Sequence, residues 1–198
     1  GSVEEGRIEI NAGVECYVDA ERRDDIRRNH TATHLLNLAL REVAGPESDQ
    51  RGSMVAAERL RFDYAANRPL TPDELVRVEQ LVRTGIEEGL AVHVELVPLD
   101  RAKSVDTVRA VFGEQYPDPV RMVSIGTPID DLLSRPVDAA WMRRSVEFCG
   151  GTHLENTSEA GEFVLVSEQG LAAGVRRVTA LTGAAARSAR SEAAALEK

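Results

Sequence analysis

The chain is poor in the residues that most often carry metal and redox chemistry, with two cysteines and four histidines among 198 residues. Two cysteines are too few for a disulfide framework, and Cys16 has no evident partner, which fits a reducing compartment. No apolar run approaches the roughly 18 residues of a membrane span, and no N-terminal series reads as a signal peptide. A cytoplasmic setting is therefore expected, and the sequence shows no internal repeats and no disordered tract. Basic excess is also missing: the formal net charge is -9, which argues against a protein that grips nucleic acid over its whole surface. Local contacts stay open through the pairs Arg59 and Arg61, Arg143 and Arg144, and Arg176 and Arg177. With 42% hydrophobic content the chain has enough apolar material for one sizeable core. Gly1-Ser2 resembles a tag-cleavage scar, which would make the rest a piece of something longer.

The scarce residues are concentrated. His30-Thr-Ala-Thr-His34 and Cys149-Gly-Gly-Thr-His153 each place two candidate ligands four residues apart. On a helix, His30 and His34 project from one face. The glycines of the second cluster suit a tight loop better than a helix interior. Three imidazoles and one thiolate make a tetrahedral zinc set, provided the fold brings the clusters together. Ordinary core histidines and a free buried cysteine would not account for the matched spacing. His93 and Cys16 lie outside the pattern.

Along the chain, residues 3–20 alternate weakly and predict a hairpin turning at Asn11-Ala12-Gly13. A helix is expected over 26–43, stopped by Gly45-Pro46. Residues 52–55 and 60–64 read as two strands. Thr71-Pro72-Asp73-Glu74 has the Thr cap, early Pro and third-position Glu of a helix start, opening a helix to about Gly89. Strands are expected at 92–97 and 120–125, with a short helix over 99–105 between them. Residues 127–144 read as a loop or small insertion. Two more strands at 163–167 and 175–181 precede an Ala-rich helix from Gly183 to Lys198. This mixture predicts an α+β fold: a largely antiparallel sheet covered by helices, with the histidine helix crossing it.

His-Thr-Ala-Thr-His-Leu-Leu at 30–36, Gln50-Arg51-Gly52-Ser53, Leu60-Arg61-Phe62-Asp63, Cys149-Gly-Gly-Thr-His153 and Gly174-Val-Arg-Arg177 occur in that order. Together they resemble the editing (second additional) domain of alanyl-tRNA synthetase and its free-standing relatives. The segment from Arg109 to Gly126, with Ser145-Val-Glu-Phe148, is more similar to the eukaryotic cytoplasmic type. The resemblance implies the alanyl/threonyl-tRNA synthetase editing-domain fold over residues 21–183. Residues 1–20 would then be a strand segment, a possible remnant of a preceding module, and 184–198 a helix leading to a missing downstream region. The ATP-binding, alanine-activating domain of the synthetase is absent, so this chain alone is not expected to charge tRNA.

The activity implied is hydrolysis of the ester joining serine or glycine to the acceptor end of alanine tRNA. An alanine pocket cannot exclude glycine by size and rejects the extra hydroxyl of serine only weakly, so a second site must remove what the first accepts. The resemblance assigns zinc to His30, His34, Cys149 and His153, and the serine hydroxyl to Thr31. It places Gln50 in the pocket lining. The metal is either catalytic or purely structural. The histidine helix lacks the internal Glu base of helical zinc hydrolases, so the base would be a metal-bound hydroxide, another group, or a ribose hydroxyl of the tRNA.

Four further positions have two readings each. Arg61 and Asp63 share one face of a strand and either look into the cleft or pair with each other. Gly150 and Gly151 either offer backbone amides to an oxyanion or only shape the turn that aims Cys149 and His153. Arg176 and Arg177 should point to opposite faces, so that one reaches RNA and the other braces the fold. Two competing functions remain: an RNA-binding module with structural zinc and no chemistry, and a threonyl-tRNA-type editing domain.

Overall fold

The computed structural model describes residues 2–110 and 114–196. Gly1, residues 111–113 of the resembling segment and the last two residues of the expected C-terminal helix lie outside them.

The fold has two antiparallel sheets, each with its own core. Helix α1 (Ala20–Ala44) begins at Asp19, whose side chain accepts from the Arg22 amide, and ends at Gly45 with φ 102°. It starts earlier than the histidine pattern predicts, because Asp19 provides the cap. A meander of β1 (Gln50–Val55) and β2 (Leu60–Ala65) follows, then α2 (Pro72–Glu87). The start of α2 is the predicted capping box: Thr71 Oγ1 accepts from the Glu74 amide at 3.2 Å, and Glu74 accepts from the Thr71 amide at 2.8 Å. After β3 (Val92–Val97), α3 (Leu99–Lys103) and β4 (Val120–Ile125) comes α4 (Ile129–Ser134). Then follow β5 (Ser145–Phe148), the long hairpin of β6 (Phe163–Ala172) and β7 (Val175–Thr182), and α5 (Gly183–Leu196).

The larger sheet has the order β1-β2-β7-β6 and the smaller β3-β4-β5. Period-two alternation along β2 puts Leu60, Phe62 and Tyr64 on the inner face of the larger sheet, all fully buried. Val178 and Ala180 of β7 join them, and α1 packs above with Ala32, Leu36 and Leu40. Helix α2 lies beside α1 and closes this core with Val78, Val82 and Ile86. The smaller sheet builds a second core from Met122, Val146 and Phe148 under α3 and α4, capped by Trp141. Helix α1 reaches β5 across the seam between the sheets, and the histidines face that seam.

Four expectations change. The single sheet is two sheets: among the described residues no strand of the β3-β4-β5 set pairs with a strand of the larger sheet. Residues 2–19 form no strand pair; a turn closes with the Ala12 amide on the Glu9 carbonyl, and Ile8, Ile10 and Tyr17 stay solvent-exposed with no face to bury against. Residues 127–144 are not simply a loop: Ile129 and Leu132 are completely buried, and that contact holds the short α4 between Pro128 and Pro136. Strand β6 also runs on to Ala172, so the hairpin turns tightly at Ala173-Gly174, where Gly174 takes φ 73°. No helix among the described residues is long and apolar enough to cross a membrane.

Candidate metal centre

The fold brings the two clusters together. One ligand atom from each of His30, His34, Cys149 and His153 lies within 4.8 Å of all the others. Cys149 Sγ is 3.3 Å from His30 Nε2 and 3.4 Å from His153 Nε2. The histidine pair comes from consecutive turns of α1, and the other two donors come from the loop that leaves β5.

Three side chains, Arg121, Arg27 and Thr31, shape that loop. Arg121 of β4 donates through Nη1 to the carbonyls of Cys149 at 2.6 Å and Gly151 at 2.7 Å. Arg27, one turn before the histidines on α1, donates to the His153 carbonyl at 2.6 Å. Thr31 Oγ1 accepts from the Leu154 amide at 3.1 Å and lies 3.3 Å from His153 Nδ1. Gly151 sits directly under His30: a Cβ there would stand 2.0 Å from His30 Cε1. Gly150 has open space around its Cα and lines the cavity beside the cluster.

Burial sets the protonation of the donors. Loss of solvent pushes the His153 imidazole down to about 3, and the same cause lowers His34 and, against an opposing bond to the Thr152 carbonyl, His30. All three rings are therefore neutral at pH 7, the form that binds metal. Burial pushes the Cys149 thiol up, partly offset by the Gly151 amide. His34 Nδ1 is buried without a partner among the described residues, an orphaned polar atom that a metal ion would satisfy. Three neutral imidazoles and a thiol at this spacing match the donor set of zinc.

Next to the cluster is a cavity of about 420 Å³, within the usual size of a small-ligand site. Helix α1 contributes His30, Thr33, His34, Asn37 and Arg41, a polar stripe recurring every three or four residues. Gln50 and Ser53 of β1 form another wall, and Gln50 Nε2 donates to Ser53 Oγ at 3.1 Å. Glu147 of β5 lies at the back, where burial raises its carboxyl to about 7 although Asn37 and Ser145 donate to it. Its Oε2 is 3.6 Å from His34 Nε2, and with His34 held neutral this is not a salt bridge.

Of the residues singled out from the sequence, His30, His34, Cys149, Gln50 and Gly150 line this cavity, and His153 completes the donor cluster behind them. Thr31 does not line it: the side chain is fully buried behind His153. Thr33 is the threonine in the cavity wall, and its position three residues after His30 was the available signal. The four sheet residues are also elsewhere. Asp63 and Arg177 are direct cross-strand partners joined by a two-pronged ion pair at 2.6 and 2.7 Å. Arg61 is not paired with Asp63; its Nη2 lies 2.7 Å from Met54 Sδ. Arg176 does point to the opposite face from Arg177, where it is bonded twice to Glu168, which also accepts from Tyr64. Sequence reasoning missed Asn37, Arg121 and Glu147, whose roles depend on contacts between segments far apart in the chain.

A histidine helix crossing an antiparallel sheet beside a Cys-Gly-Gly-Thr-His loop has a counterpart in known sequences. Residues 120–179 match the family model of the threonyl and alanyl tRNA synthetase second additional domain. The mitochondrial alanine–tRNA ligase of Saccharomyces cerevisiae is 48% identical over 183 residues, covering 92% of this chain and 19% of the relative. The cytoplasmic alanine–tRNA ligase of Dictyostelium discoideum is 48% identical over 182 residues, again 92% of this chain and 19% of the relative. The Drosophila melanogaster cytoplasmic enzyme is 39% identical over 99% of this chain and 20% of its own length. The chain belongs to the second additional domains of the alanyl-tRNA synthetase family, and it spans about a fifth of the length of the relatives it matches.

Proposed function

We propose that this chain hydrolyses the ester joining serine or glycine to the 3′ end of alanine tRNA, acting as a proofreading deacylase in the cytoplasm. The observation that carries this reading is the cavity itself. In a member of a tRNA synthetase family, a polar cavity of about 420 Å³ lies against a four-donor metal cluster and is walled by residues able to hold an aminoacyl ester. His30, His34, Cys149 and His153 would hold zinc. When bound, zinc supplies positive charge that fixes the loop against α1 and favours charge developing on an ester oxygen.

The protein groups account for selectivity. The Thr33 hydroxyl donates to the Asn29 carbonyl at 2.7 Å, which leaves its lone pairs to accept a hydrogen bond from the hydroxyl proton of serine. Alanine offers no such proton, so the contact rewards serine alone. Glycine gains entry by being small. Gln50, steered by Ser53, can bond to the amino acid or an ordered water. Gly150 lines the cavity beside the metal donors, where its backbone amide would suit an oxyanion, whereas that of Gly151 is turned to the Cys149 sulfur.

One observation favours a second reading, an RNA-binding module without chemistry: four protein donors already fill the tetrahedron zinc prefers, as in structural sites. Multiple-turnover deacylation separates the two. With seryl-, glycyl- and alanyl-tRNA(Ala) in excess, the deacylase releases serine and glycine through many cycles and leaves alanine attached. A binding module gives no release above the uncatalysed rate.

A further inference from the structure

Two cations line the cavity among its described residues, Arg41 and Arg109. Arg41 is committed, with Nη1 donating to Asp49 at 3.0 Å. Arg121 and Arg27, close by, are spent on loop carbonyls. Arg109 differs from all of these. Among the described residues its buried Nε and Nη1 have no hydrogen-bond partner, and no carboxylate is within ion-pair distance of it.

The backbone of Arg109 is fixed. Its amide donates to the Val146 carbonyl at 2.9 Å and its carbonyl accepts from the Phe148 amide at 2.9 Å, a parallel bridge that sets Arg109 level with Glu147. Residues level with each other in such a bridge send their side chains to the same face, and both line the cavity. A guanidinium is thus carried on a rigid rail beside the metal cluster with two donor nitrogens unused. A buried charged donor left without a partner is costly, and its retention points to a ligand that supplies the acceptor.

The chemistry of the substrate narrows that ligand. On the terminal nucleotide of a charged tRNA the amino acid carries an ammonium, which Arg109 repels. The ribose and adenine are neutral. The one anion is the 5′-phosphate of that nucleotide, on the far side of the ribose from the ester. Guanidinium is also the side chain best matched to phosphate oxygens. Resting on the deacylase reading above, we infer that Arg109 binds the 5′-phosphate of the terminal nucleotide, so that a protein with net charge -9 holds RNA through an internal cation rather than a basic surface.

The test uses two hydrolysis-resistant probes, 3′-seryl-amino-3′-deoxyadenosine with and without a 5′-phosphate, titrated by calorimetry into the zinc-loaded chain. Wild type should bind the phosphorylated probe about tenfold or more tightly than the plain one, the value of one charge-assisted contact. Arg109→Ala should bind both probes equally, with wild-type affinity for the plain one and unchanged zinc content. Arg109→Lys should keep part of the gain, and the gain in wild type should shrink as salt is raised. Equal binding of the two probes by wild type, or a full phosphate gain in Arg109→Ala, overturns the inference while leaving the deacylase reading intact. Failure of wild type to bind either probe removes both. The wild-type comparison needs no variant, so a misfolded Arg109→Ala does not block the test.

Discussion

Gly151 lies so close beneath the His30 imidazole that a methyl group at this position would overlap the ring, 2.0 Å from Cε1. The loop glycines are therefore not equivalent. Gly151 lets two ligand-bearing segments touch, whereas a side chain at Gly150 would meet only open space. Gly151→Ala must displace His30 and should lower zinc affinity on the order of 10–100-fold, the usual cost of disturbing the support of a ligand. Gly150→Ala should retain one zinc per chain. Elemental analysis after dialysis against a competing chelator distinguishes them, and equal zinc in both variants would show that His30 is not a ligand.

The two threonines of the histidine helix should separate in the same way. Thr31→Val removes the oxygen that supports His153 and receives the Leu154 amide, so it should weaken zinc binding and cost about 1–3 kcal/mol of stability through the unpaired amide. Thr33→Val should leave zinc and melting temperature nearly unchanged and reduce the preference for seryl over alanyl ester by about tenfold or more. The resemblance alone gave the serine contact to Thr31. If Thr31→Val changes selectivity with zinc intact, that assignment stands and the geometric one fails.

Neither Arg176 nor Arg177 is free to meet RNA, since each is held by a carboxylate on both prongs. Both alanine variants should keep wild-type kcat on seryl-tRNA(Ala) and melt at lower temperature. The drop should be larger for Arg176, because the buried Glu168 carboxylate loses its only cationic partner and keeps just the neutral donors of Tyr64 and the Leu70 backbone. A raised KM for the tRNA in either variant, with melting unchanged, would restore an RNA contact to this sheet.

Much of the site was legible because scarce residue types at helical spacing leave few alternatives. His30 and His34 had to share a face, and the loop glycines had to turn. What escaped depended on register and on long-range pairing. Nothing local says that Asp63 lies opposite Arg177 rather than beside a paired Arg61, because a strand pattern gives the face and not the partner. Glu147 and Arg109 became cavity residues only through a parallel bridge between distant segments. The six residues of α4 are too few to show a helical period, and they fold through the burial of Ile129 and Leu132. Residues 3–20 show the converse, since alternation without a partner strand produced no hairpin.

Metal-dependent release of serine tests the account most directly. One preparation is stripped of metal, confirmed metal-free, and assayed on seryl- and alanyl-tRNA(Ala) before and after one equivalent of zinc is returned; Cys149→Ala is carried in parallel. Stripping should abolish serine release and one equivalent should restore it, while the alanyl ester stays intact throughout and Cys149→Ala neither binds zinc nor recovers. Undiminished serine release from metal-free protein, or release of serine and alanine at the same rate, would contradict it.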